Sequence, residues 1–287
     1  MMEGLLMSEY LPVAKTFKLY IDGSFPRSES GRTFPVHDSS GLLLANVALS
    51  SRKDLRNAIR AARSAQEGWS DRSAYNRGQI LYRVAEMLES RRSEFVELLC
   101  HTGLTKRAAN KEVEKSIDRW VWYAGWADKI HHVLGSVNAV NGPYFNFSVP
   151  EPTGVVGLVV PESPAFLSFA SRLPPVIVSG NTAVVVAGGS SSLLALTLAE
   201  VLETSDFPPG VVNVLTGDQD EIVPWLVSHL DVNALDLTGL NSEIDSDVIV
   251  GAADGVKRVV FGEIDRESPY SIADFLEIKT VWHPIGK

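Results

Sequence analysis

Two apolar stretches decide the fold, residues 154–161 (GVVGLVVP) and residues 182–186 (TAVVV). Both are short, continuous runs rich in β-branched residues, the pattern of a strand that is buried on both faces. Other apolar stretches continue the alternation, with helices at 166–179, apart from Pro174 and Pro175, and at 192–202, and strands at 211–215 and 234–237. Buried strands that alternate with helices indicate βαβ crossovers. The sequence therefore predicts an α/β fold, a doubly wound, Rossmann-like parallel sheet with helices on both faces.

The chain before residue 154 has a different texture. Residues 17–47 alternate short apolar pieces with turn residues, and Asp22-Gly23 between two such pieces is a hairpin signal, so we predict a β-rich lead-in. Ser51 and Asp54 have the spacing of a capping box that begins a helix. The apolar periodicity that follows predicts three N-terminal helices, at residues 51–69, about 80–103 and about 106–132.

Composition and charge exclude several classes of protein. The 26 Lys and Arg against 35 Asp and Glu give a net charge of −9, which repels nucleic acid phosphates and anionic lipid surfaces. The single cysteine, Cys100, excludes an intrachain disulfide and a cysteine-rich zinc site, and we assign it to packing in the last turn of a helix. The sequence shows neither a signal peptide pattern nor a membrane-length apolar run. We therefore expect a cytoplasmic protein without nucleic acid or membrane partners.

A series of short motifs follows in a fixed order: LYIDG (19–23), Trp69, PTGVVG (152–157), GNT (180–182), FPPGVVNV (207–214), VSH (227–229) and LTG (237–239). This ordered set resembles the NAD-binding half of the aldehyde dehydrogenase superfamily and covers about residues 17–269. The resemblance implies a cysteine thiolate that attacks the aldehyde, an asparagine that holds the oxyanion, a glutamate that activates water, and NAD as hydride acceptor.

Few of the catalytic groups that the resemblance implies are present. Glu263 matches the family's general-base position, and none of the 24 residues after it (287 − 263) is cysteine. Ser163 replaces the oxyanion asparagine, with a hydroxyl too short to reach the same point, and Glu162 places negative charge beside a developing oxyanion. We expect no catalytic residue to remain and Glu263 to be structural.

The positions that bind NAD in the family are also changed. Val186 and Gly189 stand where a lysine and a glutamate would bind the adenosine ribose. The turn that would hold the diphosphate carries Gly239, Leu240 and Ile244, and a branched side chain at 244 blocks close approach of a phosphate. The loss of about four polar contacts, about 1 to 1.5 kcal/mol each, lowers affinity about 10³-fold. We expect no cofactor, or NAD if there is one.

Two segments resemble the strands by which the family assembles subunits, residues 141–151 and 275–282. The second closes full-length members, so the resemblance implies that most of the catalytic domain has been excised before it. We assign residues 17–269 to an NAD-binding-type domain with 141–151 inserted, and residues 270–287 to an oligomerisation tail. The residues that we predict to mediate assembly are Tyr144, Phe145, Phe147, Val149, Leu276, Ile278 and Trp282. We expect at least a dimer, in which the tail pairs with strand 144–149 of a neighbouring chain.

Other candidate sites have simpler interpretations. Adjacent histidines at 131 and 132 point about 100° apart on a helix and predict no metal site. Residues 188–192 (GGSSS) lack the ending of a phosphate loop and indicate a turn, and the acidic residues at 218, 220 and 221 indicate a solvated loop. The three tryptophans at 120, 122 and 126 indicate packing.

The leading hypothesis is a catalytically inactive aldehyde-dehydrogenase-like protein that acts through assembly, with itself or with an active family member. Two alternatives stay open. One is an NAD(P)-dependent aldehyde oxidoreductase whose activity is residual or completed by a partner. The other is a small-molecule binding module without turnover.

Overall fold

The structure, a computed structural model, describes residues 15–240, 246–264 and 266–286. Their strands are β1 (Thr16–Phe17), β2 (Thr33–His37), β3 (Leu43–Ala48), β4 (Ser136–Asn138), β5 (Tyr144–Pro152), β6 (Val155–Val159), β7 (Thr182–Ala187), β8 (Val212–Thr216), β9 (Ala234–Asp236), β10 (Arg258–Val260) and β11 (Leu276–Pro284). Their helices are α1 (Arg52–Ser70), α2 (Ala74–Ser90), α3 (Arg92–His101), α4 (Lys106–Ala124), α5 (Ile130–Leu134), α6 (Ala165–Val178), α7 (Ser191–Glu203), α8 (Gln219–Ser228), α9 (Ser246–Asp254) and α10 (Tyr270–Ala273).

The central sheet is parallel and has the strand order β10-β9-β6-β7-β8. The chain starts at β6 in the middle, adds β7 and β8 on one side, and then crosses to add β9 and β10 on the other. This is a doubly wound arrangement, as the alternation of apolar runs predicts. The order reverses between β6 and β9, and their carboxyl ends define the crevice where ligands bind in such folds.

Both faces of the central sheet are buried because side chains alternate along each strand. In β7, Val185 points into the larger core with α6 and α7. Val184 and Val186 point into a second core formed with α1 and α8. All three are at most 1% exposed, which explains why the strand is apolar at every position rather than at every second one.

The N-terminal lead-in confirms two local predictions. Asp22 and Gly23 both have positive φ, and Ile21 and Ser24 bond to each other across them, which is the geometry of a tight hairpin turn. The capping box is complete, since the Asp54 amide donates to the Ser51 hydroxyl and the Ser51 amide donates to the Asp54 carboxylate. The strands β1, β2 and β3 form a separate small sheet with the order β1-β3-β2.

Three of the predicted helix boundaries are wrong. The second predicted helix is two helices, α2 and α3, divided at Arg91, whose side chain pairs with Glu94 and Glu200. The third ends at Gly125, where the low helix propensity of glycine stops α4, and α5 follows separately. Conversely, α6 continues through Pro174 and Pro175, because a helix buried along its whole length gains enough from packing to offset the lost hydrogen bonds.

The two segments that we predict to mediate assembly form a third sheet, with the order β11-β5-β4. β11 pairs with β5 of the same chain, antiparallel over nine residues from Leu276 opposite Pro152 to Pro284 opposite Tyr144. The prediction that the tail pairs with this strand of a neighbouring chain is therefore wrong. The amide of Thr153, just after β5, donates to the carbonyl of Phe275, just before β11, so the end of β5 is held beside the start of β11 within one chain.

Candidate functional site

The carboxyl ends of four central strands surround a cavity of about 640 Å³. Glu162 comes after β6, the Gly188–Gly189 turn after β7, Gly217 after β8 and Leu240 after β9. This cavity is the crevice at the reversal of strand order, where ligands generally bind in doubly wound folds. Phe34 and Leu49 from the N-terminal lead-in close its outer side.

The Glu162 carboxylate lies against the Gly188–Gly189 turn. A Cβ added to Gly189 would collide with it, and one added to Gly188 would stand 3.3 Å from its Oε1 atom. Gly189 also has a φ of +48°, which side chains with a Cβ rarely adopt. The glutamate that the family places at this position therefore cannot simply be restored here. Glu162 instead puts its own carboxylate against this turn.

Three more carboxylates line the same cavity. Asp218 is the N-cap of α8, with its side chain accepting from the amide of Asp220, and Asp220 and Glu221 form the first helical turn. The interpretation of these residues as a solvated loop is wrong, because they begin a helix. A helix N-terminus is where an anion is normally held, and here the chain's own carboxylates occupy it. The cavity has no lysine or arginine among its described lining residues.

Of the residues predicted to form the crevice, some line the cavity and others are buried away from it. Gly189 and Leu240 line the cavity together, whereas Val186 is fully buried beneath it. Gly239 is buried and its amide donates to the carbonyl of Val159, so tightly that a Cβ would collide with the backbone at Val160 and Pro161. Ile244 lies outside the described residues.

The two positions that match catalytic residues do not line this cavity. Ser163 and Glu263 are both exposed. The backbone around Glu263 is held on both sides. The amide of Gly262 donates to the Thr238 hydroxyl at 2.8 Å, and the carbonyl of Ile264 accepts from Ser171 and Arg119 at 2.7 and 2.9 Å. The position that matches the family's base is thus exposed, and the backbone on either side of it is hydrogen-bonded.

A buried charged group beneath this segment escaped sequence reasoning. Arg172 and Asp236 are each 1% exposed at the side chain and form an ion pair with an N–O distance of 2.5 Å. Arg172 also packs against Gly262 and over the ring of Phe275. Burial raises the pKa of the neighbouring Asp274 carboxyl, and the charge of Asp236 adds to this effect while Arg172 opposes it. Only the arginine in an otherwise apolar helix signalled this group in the sequence.

The remaining candidates are structural. Cys100 lies in the last turn of α3 and packs against the larger core, as predicted. Trp120 is fully buried, and Trp122 and Trp126 pack on the same core with ring centroids 5.4 Å apart. The described part of the chain has no cluster of three or more metal-binding side chains. In that part, too, no helix is both long enough and apolar enough to cross a membrane.

The fold and the crevice together define a class, that of doubly wound proteins built on a dinucleotide-binding plan. Residues 25–281 match the aldehyde dehydrogenase family, and the chain belongs to that family. It is 32% identical over 259 residues to the putative aldehyde dehydrogenase DhaS of Bacillus subtilis. The match spans 88% of this chain and 51% of DhaS. It is 33% identical over 267 residues to aldehyde dehydrogenase family 2 member B4, mitochondrial, of Arabidopsis thaliana, with 91% and 49% covered.

The fold is also that of solved family members. The NAD+ complex of an aldehyde dehydrogenase from Bacillus cereus superposes with a TM-score of 0.78 at 26% identity, over 85% of this chain and 50% of that chain. The chain thus spans about half the length of the relatives that it matches.

Proposed function

We propose that this protein is a catalytically inactive relative of the aldehyde dehydrogenases that acts through assembly. The partner is a second copy of this chain or an active member of the family. The observation that carries the proposal is the third sheet, which exposes apolar side chains on both faces and in which no described strand pairs with the outer edge of β11.

The groups needed for aldehyde oxidation support the first half of the proposal. The sequence has one cysteine, and it packs among the N-terminal helices rather than at the crevice. The crevice carries four carboxylates against the two negative charges of an NAD diphosphate. We therefore expect neither oxidation of aldehydes nor hydrolysis of esters, and we expect the Cys100→Ser variant to be indistinguishable from the wild type in both assays.

The exposed fractions on the third sheet support the second half. Tyr144 and Phe145 on β5 are 42% and 45% exposed, and Ile278 and Trp282 on β11 are 58% and 59% exposed. The rings of Tyr144 and Trp282 meet edge to face at 5.7 Å, so they form one patch. A long strand edge next to exposed aromatic residues is a site for association. Water solvates the aromatic side chains poorly, and the backbone groups of the edge can pair with another sheet.

Light scattering coupled to size exclusion tests the assembly. The wild type is expected to be a dimer or larger, and the Ile278→Lys/Trp282→Lys variant is expected to be a folded monomer. Tyr75→Lys is the matched control, because Tyr75 is an aromatic residue of α2 that is 72% exposed and lies outside this sheet. A wild type that stays monomeric at about 100 µM and captures no full-length aldehyde dehydrogenase from cell extract would overturn the proposal.

Calorimetry with NAD and NADP separates this proposal from an oxidoreductase whose activity is residual or completed by a partner. We expect no binding below the millimolar range, because about four polar contacts are missing. Submillimolar binding would favour the oxidoreductase.

A cytoplasmic location belongs to the same proposal and is tested by fractionation of the native cells.

A further inference from the structure

The strand β11 has nine residues and lies at the edge of the third sheet, with β5 on one side and no described strand on the other. Alternate residues of an edge strand turn their backbone N–H and C=O groups inward or outward. At one end the Thr153 amide donates to the Phe275 carbonyl, in register with the ladder. At the other end the Ile285 amide donates to the Pro143 carbonyl, in the same register. The odd-numbered residues of β11 therefore bond to β5, and the even-numbered ones direct their backbone groups outward.

Only the middle of this outer edge is free to pair. At its start, the Leu276 carbonyl already accepts from the Arg258 guanidinium at 2.6 Å. At its end, Pro284 has no N–H to donate. The residues between these two ends whose amides and carbonyls face outward, with no described strand to bond to, are Ile278, Thr280 and Trp282.

The free part of the edge is complementary to itself, because the three residues are evenly spaced about Thr280. In an antiparallel pair of β11 strands related by a two-fold axis at Thr280, Ile278 stands opposite Trp282 of the partner subunit. Thr280 then stands opposite Thr280 of the partner subunit. Residues whose backbone groups face each other exchange two hydrogen bonds, so the three opposed pairs form six bonds. This arrangement uses every free group of the edge and leaves the bond from Arg258 intact.

The side chains favour the same register. Ile278 and Trp282 are 58% and 59% exposed and lie on one face of β11, so each would cover the other across the junction. On the other face, Glu277 would stand opposite His283 of the partner subunit. Lys279 would stand opposite Val281 of the partner subunit, so no like charges meet.

Neighbouring registers are worse in both backbone and side chains. An axis at Lys279 would set the two Lys279 ammonium groups directly opposite each other, where like charges are destabilising. It would also set Trp282 against the Leu276 carbonyl that Arg258 already engages. An axis at Val281 would set Ile278 against Pro284, which has no N–H. Larger shifts leave Ile278 or Trp282 without a partner.

We infer that β11 pairs with β11 of a second copy of this chain, antiparallel about Thr280. The two third sheets then form one continuous sheet of six strands. This inference rests on the proposed function, because it names the partner and the register for the assembly proposed there.

The Thr280→Pro variant tests whether the strand edge forms the contact. The Thr280 amide faces outward, so proline blocks the junction while the ladder with β5 keeps its hydrogen bonds. Thr280→Val is the matched control, since both variants lose the hydroxyl that bonds to Ser148 at 2.9 Å and only valine keeps the amide. In size exclusion coupled to light scattering, the wild type and Thr280→Val are expected to be dimers. Thr280→Pro is expected to lose the dimer and keep the circular dichroism of the wild type.

Oxidative cross-linking of single-cysteine variants, in a Cys100→Ser background, measures the register. At position 280 the two Cα atoms are expected to be about 5.5 Å apart, within the range of a disulfide. Ile278→Cys is the matched control, because it lies on the same edge and face but about 14 Å from its own copy. Thr280→Cys is expected to give at least about ten-fold more covalent dimer than Ile278→Cys. Ile278→Cys co-expressed with Trp282→Cys is expected to cross-link, whereas neither does so alone.

The outcomes separate this inference from the proposed function. The inference is overturned, and the proposed function stands, if folded Thr280→Pro remains a dimer or if Ile278→Cys cross-links more than Thr280→Cys. Assembly would then use another surface or another register. The cross-linking result decides the register even if Thr280→Pro does not fold. A monomeric wild type overturns the inference in every case, and overturns the proposed function only if it also captures no full-length aldehyde dehydrogenase.

Discussion

Single side chains decide what the crevice at the carboxyl ends of the central strands can hold. Glu162 does this directly, because its carboxylate takes the space above the Gly188–Gly189 turn and adds charge to a cavity that already contains three carboxylates. A change in one charge alters the crevice without altering the fold. A second such side chain is Asp274, because burial raises the pKa of its carboxyl and so disfavours its ionised form.

The Glu162→Gln variant is expected to bind NAD more tightly than the wild type, by about five-fold, since one repulsive contact is worth about 1 kcal/mol. Calorimetry under identical salt measures it. Glu67→Gln is the control, because it removes the same charge from an exposed site on α1. An equal gain in both variants would show that net charge, and not the crevice, controls binding.

The Asp274→Asn variant is expected to be more stable than the wild type at pH 7 and to lose this advantage near pH 3. The pKa of Asp274 is raised in the folded state, so folding favours the protonated form, and this contribution disappears as the pH rises through the folded pKa. Urea unfolding at both pH values gives the two differences. An advantage that is the same at pH 3 and pH 7 would contradict the assigned cause.

At the scale of elements, the capping box of α1 links the helix to the lead-in. The buried Asp54 carboxylate accepts from the Ser51 amide at 2.9 Å, the Ser28 hydroxyl at 2.7 Å and the Glu29 amide at 3.2 Å. Asp54→Ala is expected to lower the free energy of unfolding by about 2 kcal/mol, the upper range for a cap, because it leaves several donors unpaired. Asp118→Ala is the control, because it makes the same substitution at an exposed position of α4, and it is expected to change the free energy of unfolding by less than 1 kcal/mol. Equal losses would show that the cap has no special role.

The sequence predicts elements well where local patterns dominate and poorly where tertiary contacts do. The buried strands, the Asp22-Gly23 turn and the capping box all follow from short-range signals. The course of α6 through Pro174 and Pro175 does not, because burial overrides propensity there. In the site, residues at strand ends converge as expected, but the ion pair of Arg172 and Asp236 joins positions 64 apart and left no local pattern.

At the scale of the whole molecule, Phe275 joins the third sheet to the central one. Its side chain is fully buried, and its carbonyl accepts from the Thr153 amide at 3.2 Å and from the Asn181 side chain at 2.8 Å. Its ring lies beneath the guanidinium of Arg172. The start of β11 is therefore fixed by the same core that holds the parallel strands, and the assembly surface depends on that core.

Phe275→Ala is expected to lower the free energy of unfolding by about 3 to 5 kcal/mol, because it removes a large buried ring. It is also expected to loosen β11 before the central sheet, since this ring anchors the strand's first residue. Fluorine NMR with 5-fluorotryptophan follows both, with the Trp282 signal reporting the third sheet and the buried Trp120 signal the helical layer. In urea, the Trp282 signal is expected to change at a lower concentration than the Trp120 signal in this variant, and together with it in the wild type. Coincident transitions in the variant would show that the two sheets are joined by contacts other than this ring.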